Sequence, residues 1–247
     1  MEPLKRTDLE INKTKQHDSN RLIVSFLREG RPCPSIELTS KSARKAAEHQ
    51  LITKDLEHAI SSIEFALSLY AEQQPEDNNI VKYDKNNIDH LIKHNFILSS
   101  IITYGKCFAT AKGRNARLPE QKLRKIIGDD LFAFHEQILN LRNNWVAHCG
   151  KSQMETAKTI FITDPLREKA PNYICHTSFA AEISFEDLII FCELCKTVLK
   201  LNISLQNEAI SALNCELQKT HMHELLKSAK TEFIYHNEQL LDAKKNN

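Results

Sequence analysis

From Ile52 to Tyr70 the apolar residues Ile52, Leu56, Ala59, Ile60, Ile63, Leu67 and Tyr70 fall mostly three and four apart. That spacing returns to one face of an α-helix at every turn and does not fit the alternation of a strand. It commits the chain to a long amphipathic helix that begins near Ser42 and stops before "QQPEDNN". Two further segments continue the theme. "NNIDHLIKHNFILSSIITYGKCFATA", from Asn86 to Ala111, is apolar on most sides, which predicts the central and most buried helix. After the break "KGRNARLP" a third helix follows Pro119, a residue suited to a first turn. It runs through "LFAFHEQILNLRNNWVAHC" to Gly150, a C-terminal stop.

With 5 Gly and 7 Pro in 247 residues, few positions interrupt helix, and 41% hydrophobic content is enough for a core. Two stretches carry strand character instead. "KTIFIT" and "NYICHTSFA", separated by "DPLREKAPN", are rich in β-branched and aromatic residues and predict a small hairpin. A long helix then starts at "SFEDL", with Ser184 as cap and Asp187 three positions on. Leu188, Cys192, Cys195 and Leu199 form its narrow apolar seam. Short connections between helices predict antiparallel neighbours. The expected fold is all-α: an antiparallel helical bundle with a small β-hairpin after the third helix.

The expected organisation is an N-terminal extension over residues 1–40, a helical domain over 41–230 and a C-terminal tail over 231–247. The extension is polar except for "LIVSFL", read as one helix or strand, and ends in a Pro-rich connection. Seven cysteines at irregular spacings suggest no disulfide framework and predict a reducing, cytoplasmic setting. The N-terminus is charged, and no run approaches the ~18 apolar residues of a membrane span, so no membrane partner is expected.

The stretch "NLRNNWVAHCG" carries the candidate chemistry. On a helix, with Arg142 at zero, Trp145 falls at about 300°, His148 at about 240°, Leu141 at about 260° and Ile138 at about 320°. These five side chains share a stripe roughly 120° wide. Arg142 and His148 border it, about 9 Å apart along the axis, so they line one cleft without touching. Arginine offers a permanent charge and a planar fork suited to phosphate. Histidine exchanges protons near neutral pH, and a helix C-terminus favours its charged form. The same pair is equally at home capping carbonyls or meeting a neighbouring acid. Asn143 and Asn144 are placed to add hydrogen bonds to a phosphate or base.

The sequence "LRNNWVAH" resembles the R-x4–6-H motif of the HEPN superfamily (higher eukaryotes and prokaryotes nucleotide-binding), with Arg142, five intervening residues and His148. Asn143 matches the polar residue that commonly follows the arginine. "YGKCF", Tyr104 to Phe108, resembles a sequence of abortive-infection-type members, and the β element after the motif fits that group. The resemblance spans about residues 45–205. It implies a helical bundle and a metal-independent endoribonuclease, a toxin or phage-defence effector that needs no cofactor. It implies a homodimer in which two motifs share one cleft, with RNA as substrate and an antitoxin or regulatory protein as a further partner. His148 would then be the general acid or base, Arg142 the phosphate holder, and Asn143 and Asn144 its support. Tyr104 and Lys106 are the neighbours expected to approach the site. Gly150 stands where some members carry a tyrosine that a partner nucleotidyltransferase modifies. HEPN domains also occur as non-catalytic modules that bind RNA, nucleotide or protein, which is the alternative reading.

Between residues 105 and 125 seven Lys or Arg stand against Glu120 alone, in a chain of net charge +1. This patch reads either as a track for an RNA backbone or as a solvated loop. His90 and His94 have a metal-compatible spacing, and Cys192, Cys195, His221 and His223 contain zinc-ligand types. A core or surface role is expected of the histidine pair, and packing of Cys107, Cys192 and Cys195; no metal is expected.

Overall fold

A computed structural model describes residues 9–16, 21–72, 88–109, 116–146, 155–164, 167–179, 183–220 and 222–236. These residues are mostly helical, with a small antiparallel sheet. The chain divides into two compact units. One comprises residues 45–210, and the other residues 1–44 with 211–247.

The helical unit is built on α1 (Lys41–Glu72), α2 (Ile88–Lys106), α3 (Glu120–Leu141) and α4 (Phe185–Gln218), of which α1 starts and α4 ends in the other unit. In α1 the predicted face is the buried one: Ile52, Leu56, Ala59, Ile63 and Ala66 are fully buried, with Ile60, Leu67 and Tyr70 packed beside them. α4 supplies the largest share of the core through Leu188, Phe191, Leu194, Cys195 and Val198. Its start is capped as the sequence predicts, with the Asp187 N–H donating to Ser184 Oγ at 3.0 Å. α2 buries six of its 19 residues, a share close to the ten of 34 in α4, and leaves one side open. Ile97, Ile101 and Tyr104 enter the core, while Ile88, Leu91 and Ile102 are 68%, 43% and 41% exposed. Its apolar composition therefore covers more of its circumference than its neighbours do.

α3 has an internal kink. Pro119 is the N-cap with extended backbone, not a first-turn residue, and Gly128 adopts φ 76° and ψ 176° within the helix. That conformation is essentially confined to glycine. From Arg142 to Val146 the helix widens into one π-turn. After it come β4 (Glu155–Asp164) and β5 (Arg167–Phe179), the antiparallel hairpin expected from "KTIFIT" and "NYICHTSFA". The two strands are longer than those stretches, with an irregularity between Ile162 and Asp164.

The other unit contains an antiparallel sheet that the sequence did not announce. "LIVSFL" is a strand: β2 (Arg21–Arg28) pairs with β1 (Glu10–Gln16) on one side. On the other side it pairs with β3 (Arg31–Pro32) and with β6 (Phe233–His236), which lies in the segment read as a tail. Glu29 and Gly30 link β2 to β3 with φ of 52° and 72°, the two positive values a tight hairpin turn demands. A short helix α5 (Met222–Leu226) precedes β6. Ser40 and Ser42 both donate to the carboxylate of Glu216, at 2.7 and 2.6 Å.

Candidate functional site

The candidate site grows from the seam between α2 and the second half of α3. His135, Ile138 and Arg142 follow one another at i, i+3 and i+7, so they lie on one face of α3. His135 and Ile138 are buried. The Tyr104 hydroxyl from α2 meets His135 Nδ1 at 2.7 Å, and the rings of Phe108 and Phe132 pack on the same imidazole. One residue along α2, Gly105 faces Arg142. A Cβ added at Gly105 would lie 2.9 Å from Arg142 Cγ and 3.1 Å from Cδ. The missing side chain is what lets the arginine stem lie flat against α2.

Arg142 sits where α3 becomes the π-turn, and its backbone N–H reaches both Ile138 O and Leu139 O. A π-turn adds a residue to the circuit, so the 100° step used to align Arg142 with His148 ends at Arg142. Ile138 and Leu141 keep their predicted places on α3. His148 and Gly150 lie outside the described residues, as does the side chain of Trp145.

The electrostatics of Arg142 differ from those of the neighbouring cations. Lys106 is paired with Asp55 at 2.9 Å, Lys122 with Glu208 at 3.7 Å and Arg124 with Asp129 at 2.7 Å. Among the described residues no carboxylate pairs with Arg142. Its Nη1 donates to the neutral Asn143 Oδ1 at 2.7 Å, and its Nε is buried without a partner. A half-buried guanidinium with no acid partner among the described residues is open to an external anion.

The other predicted site residues take distinct places. Asn143 orients the guanidinium, and the exposed Asn144 donates to Asn140 Oδ1 one turn back. Tyr104 is fully buried, so its hydroxyl braces α2 against α3. Lys106 is exposed and turned to Asp55 of α1. The ion pairs also dilute the basic patch at 105–125, leaving Arg117 and Lys125 as the described cations there with no acid partner. Lys112 and Arg114 lie outside the described residues.

Two contributors escaped the sequence reading. His135 carried a usable signal, as a polar residue three positions from both Phe132 and Ile138. Gly105 stood inside the quoted "YGKCF", but nothing in the sequence says which residue of α3 it faces.

Burial holds the His135 pKa at about 4, which keeps the imidazole neutral. Burial also raises the thiols of Cys192 and Cys195, consistent with a packing role. No group of His, Cys, Asp or Glu among the described residues is arranged to hold a metal ion. Among the same residues no helix is long and apolar enough to cross a membrane.

Comparison with protein-family models, with curated proteins and with solved structures finds no match to this chain.

Proposed function

We propose that the chain is a HEPN-like, metal-independent endoribonuclease, acting as a homodimer in toxin or phage-defence fashion. Arg142 holds the scissile phosphate and stabilises the charge that develops on it. His148 transfers the proton to or from the attacking 2′-hydroxyl or the leaving oxygen. Asn143 fixes the guanidinium, while Tyr104 and Gly105 act from behind by setting how closely α2 approaches Arg142.

The observation that carries this reading is the state of Arg142. It lies half-buried in a π-turn, beside a glycine that makes room for its stem, with a neutral hydrogen-bond partner and no acid among the described residues. A purely structural arginine at such depth is expected to meet a carboxylate. π-Turns inside helices recur at functional sites, because they re-aim side chains. The arginine–histidine spacing of the sequence then names the proton-transferring partner.

The test is cleavage of a mixed RNA substrate by purified protein in EDTA, with the ends analysed. Cleavage that leaves 2′,3′-cyclic phosphate ends is expected. His148→Ala should lower the rate about 10²- to 10⁴-fold, the usual range for a general acid or base. Arg142→Ala should do at least as much, and Arg142→Lys should not restore the rate, because a point charge lacks the planar fork. Cleavage that needs a divalent metal, or that survives His148→Ala, would exclude the mechanism. RNA binding without turnover would leave the non-catalytic module.

A further inference from the structure

The sheet of the unit formed by residues 1–44 and 211–247 has two unlike faces. In antiparallel pairing, directly opposed residues share a face and alternate residues along a strand return to it. The register sets Lys13 opposite Val24 and Val24 opposite Phe233, and Lys15 opposite Leu22 and Leu22 opposite Tyr235. Ile11 opposes Phe26, and Arg28 opposes Arg31. One face therefore gathers four cations, Lys13, Lys15, Arg28 and Arg31, and three aromatic rings, Phe26, Phe233 and Tyr235.

The charge carried by the strands on this face is unbalanced. Within β1, β2, β3 and β6 no Asp or Glu shares it, since Glu10 falls on the opposite face with Thr14 and Ile234; Glu37 and Glu232 line a concavity with Phe233 and Tyr235 at the β6 edge. All four cations are exposed, and none forms an ion pair with a described residue. The aromatic rings are only partly covered. Phe26 and Phe233 meet edge to face with centroids 6.1 Å apart, and Tyr235 is 56% exposed. Val24 is the one apolar residue of this face that is buried.

Lysines on an edge strand also prevent sheets from pairing edge to edge. That accounts for Lys13 and Lys15 on β1. It does not account for arginines at the β2–β3 turn, or for rings left open on β2 and β6. Clustered unpaired cations call for a polyanion, and exposed rings beside them call for flat apolar groups. Nucleic-acid bases and phosphates supply both along one strand. A duplex hides its base faces, so the strand must be single.

We infer that this sheet face is a docking platform for single-stranded RNA, with Tyr235, Phe26 and Phe233 stacking bases while Lys13, Lys15, Arg28 and Arg31 follow the phosphates. The choice of RNA over DNA rests on the proposed nuclease function; the platform itself does not require cleavage. It is a second RNA contact, separate in sequence and in fold unit from Arg142.

The experiment measures binding of a labelled 12-nucleotide single-stranded RNA to the full chain carrying His148→Ala, so that turnover does not interfere. Binding should weaken with salt, with a log–log slope of roughly −3 for four phosphate contacts at about −0.7 each. Lys13→Gln with Lys15→Gln should reduce that slope by about 1.4. Tyr235→Ala should weaken binding about 5- to 150-fold, the loss expected for one base stack. Ile234→Ser, on the opposite face, should bind as the parent does. Circular dichroism melts of each variant check that the sheet is retained. The inference is overturned if the RNA does not bind, or if Tyr235→Ala and the double lysine variant bind like the parent. It is equally overturned if duplex RNA or polyglutamate binds as tightly as the single strand. Failure of wild-type protein to cleave RNA, with these binding results intact, would remove the nuclease and leave the platform.

Discussion

Gly105 and Arg142 make one contact between α2 and the end of α3, and each constrains the other. In the interior of a helix Gly→Ala ordinarily stabilises by about 1 kcal/mol. At Gly105 the new methyl would meet Arg142 Cγ, near the root of the side chain, at 2.9 Å. The arginine must shift, and its fork moves with it. Gly105→Ala is therefore expected to keep an unfolding free energy, read by urea titration, within about 1 kcal/mol of wild type. Its RNA cleavage should fall about 10- to 100-fold, as for a misplaced phosphate holder. Unchanged cleavage would detach this contact from the site. His135, two turns earlier, has a thermodynamic signature of its own. Folded, its pKa is about 4; its ordinary value is 6.5. Between those values the unfolded chain takes up a proton that the folded chain refuses. Stability is thus full above about pH 6.5 and falls as the pH drops towards 4, by about 3 kcal/mol over the window. Urea unfolding at pH 7, 5.5 and 4 checks this. His135→Gln should flatten that part of the profile whatever its absolute stability.

At the scale of elements, Gly128 decides the path of α3. An exposed glycine in a helix normally invites alanine, but φ 76° with ψ 176° excludes it. Gly128→Ala is expected to destabilise by about 1–3 kcal/mol in urea titration, where a regular helical glycine would give a small gain. A gain would mean that the kink is dispensable. The sequence could not disclose this turn, because a single glycine amid "KLRKIIGDDLFAF" is compatible with an unbroken helix. Nor could it disclose the π-turn, since "RNNWV" contains no breaker and only the hydrogen-bond circuit changes. The long helices were legible where one face alone is apolar, as from Ile52 to Ile63. α2 was legible as a buried helix but its open side was not, because composition cannot tell an apolar surface that is covered from one that is not. Ser184 was legible because a cap is a local bond. The contact of Arg142 with Gly105 is tertiary and was not legible, and His148 lies outside the described residues.

At the scale of the whole chain, the partner of β2 comes from the far end of the sequence. β6 pairs Phe233 with Val24 and Tyr235 with Leu22. No local pattern encodes such a pairing, which is why "FIYH" passed as part of a tail. The two units differ in how much they bury. The core cluster runs from Ile52 to Leu205 and lies wholly within residues 45–210. Val24 is the one hydrophobic residue of the described sheet that reaches burial. A sheet held mainly by backbone bonds and partly covered side chains should open at lower free energy than a packed helical core. Removal of residues 231–247 tests this division, because it deletes β6 and leaves every residue of the core cluster. Hydrogen exchange in the truncated chain is expected to accelerate at least about tenfold over residues 21–24, while amides of 97–104 and 188–205 keep their protection. Equal protection at 21–24 would mean that β1 alone holds β2. Loss of protection in the helices would mean that the sheet and the helical core unfold as one cooperative body.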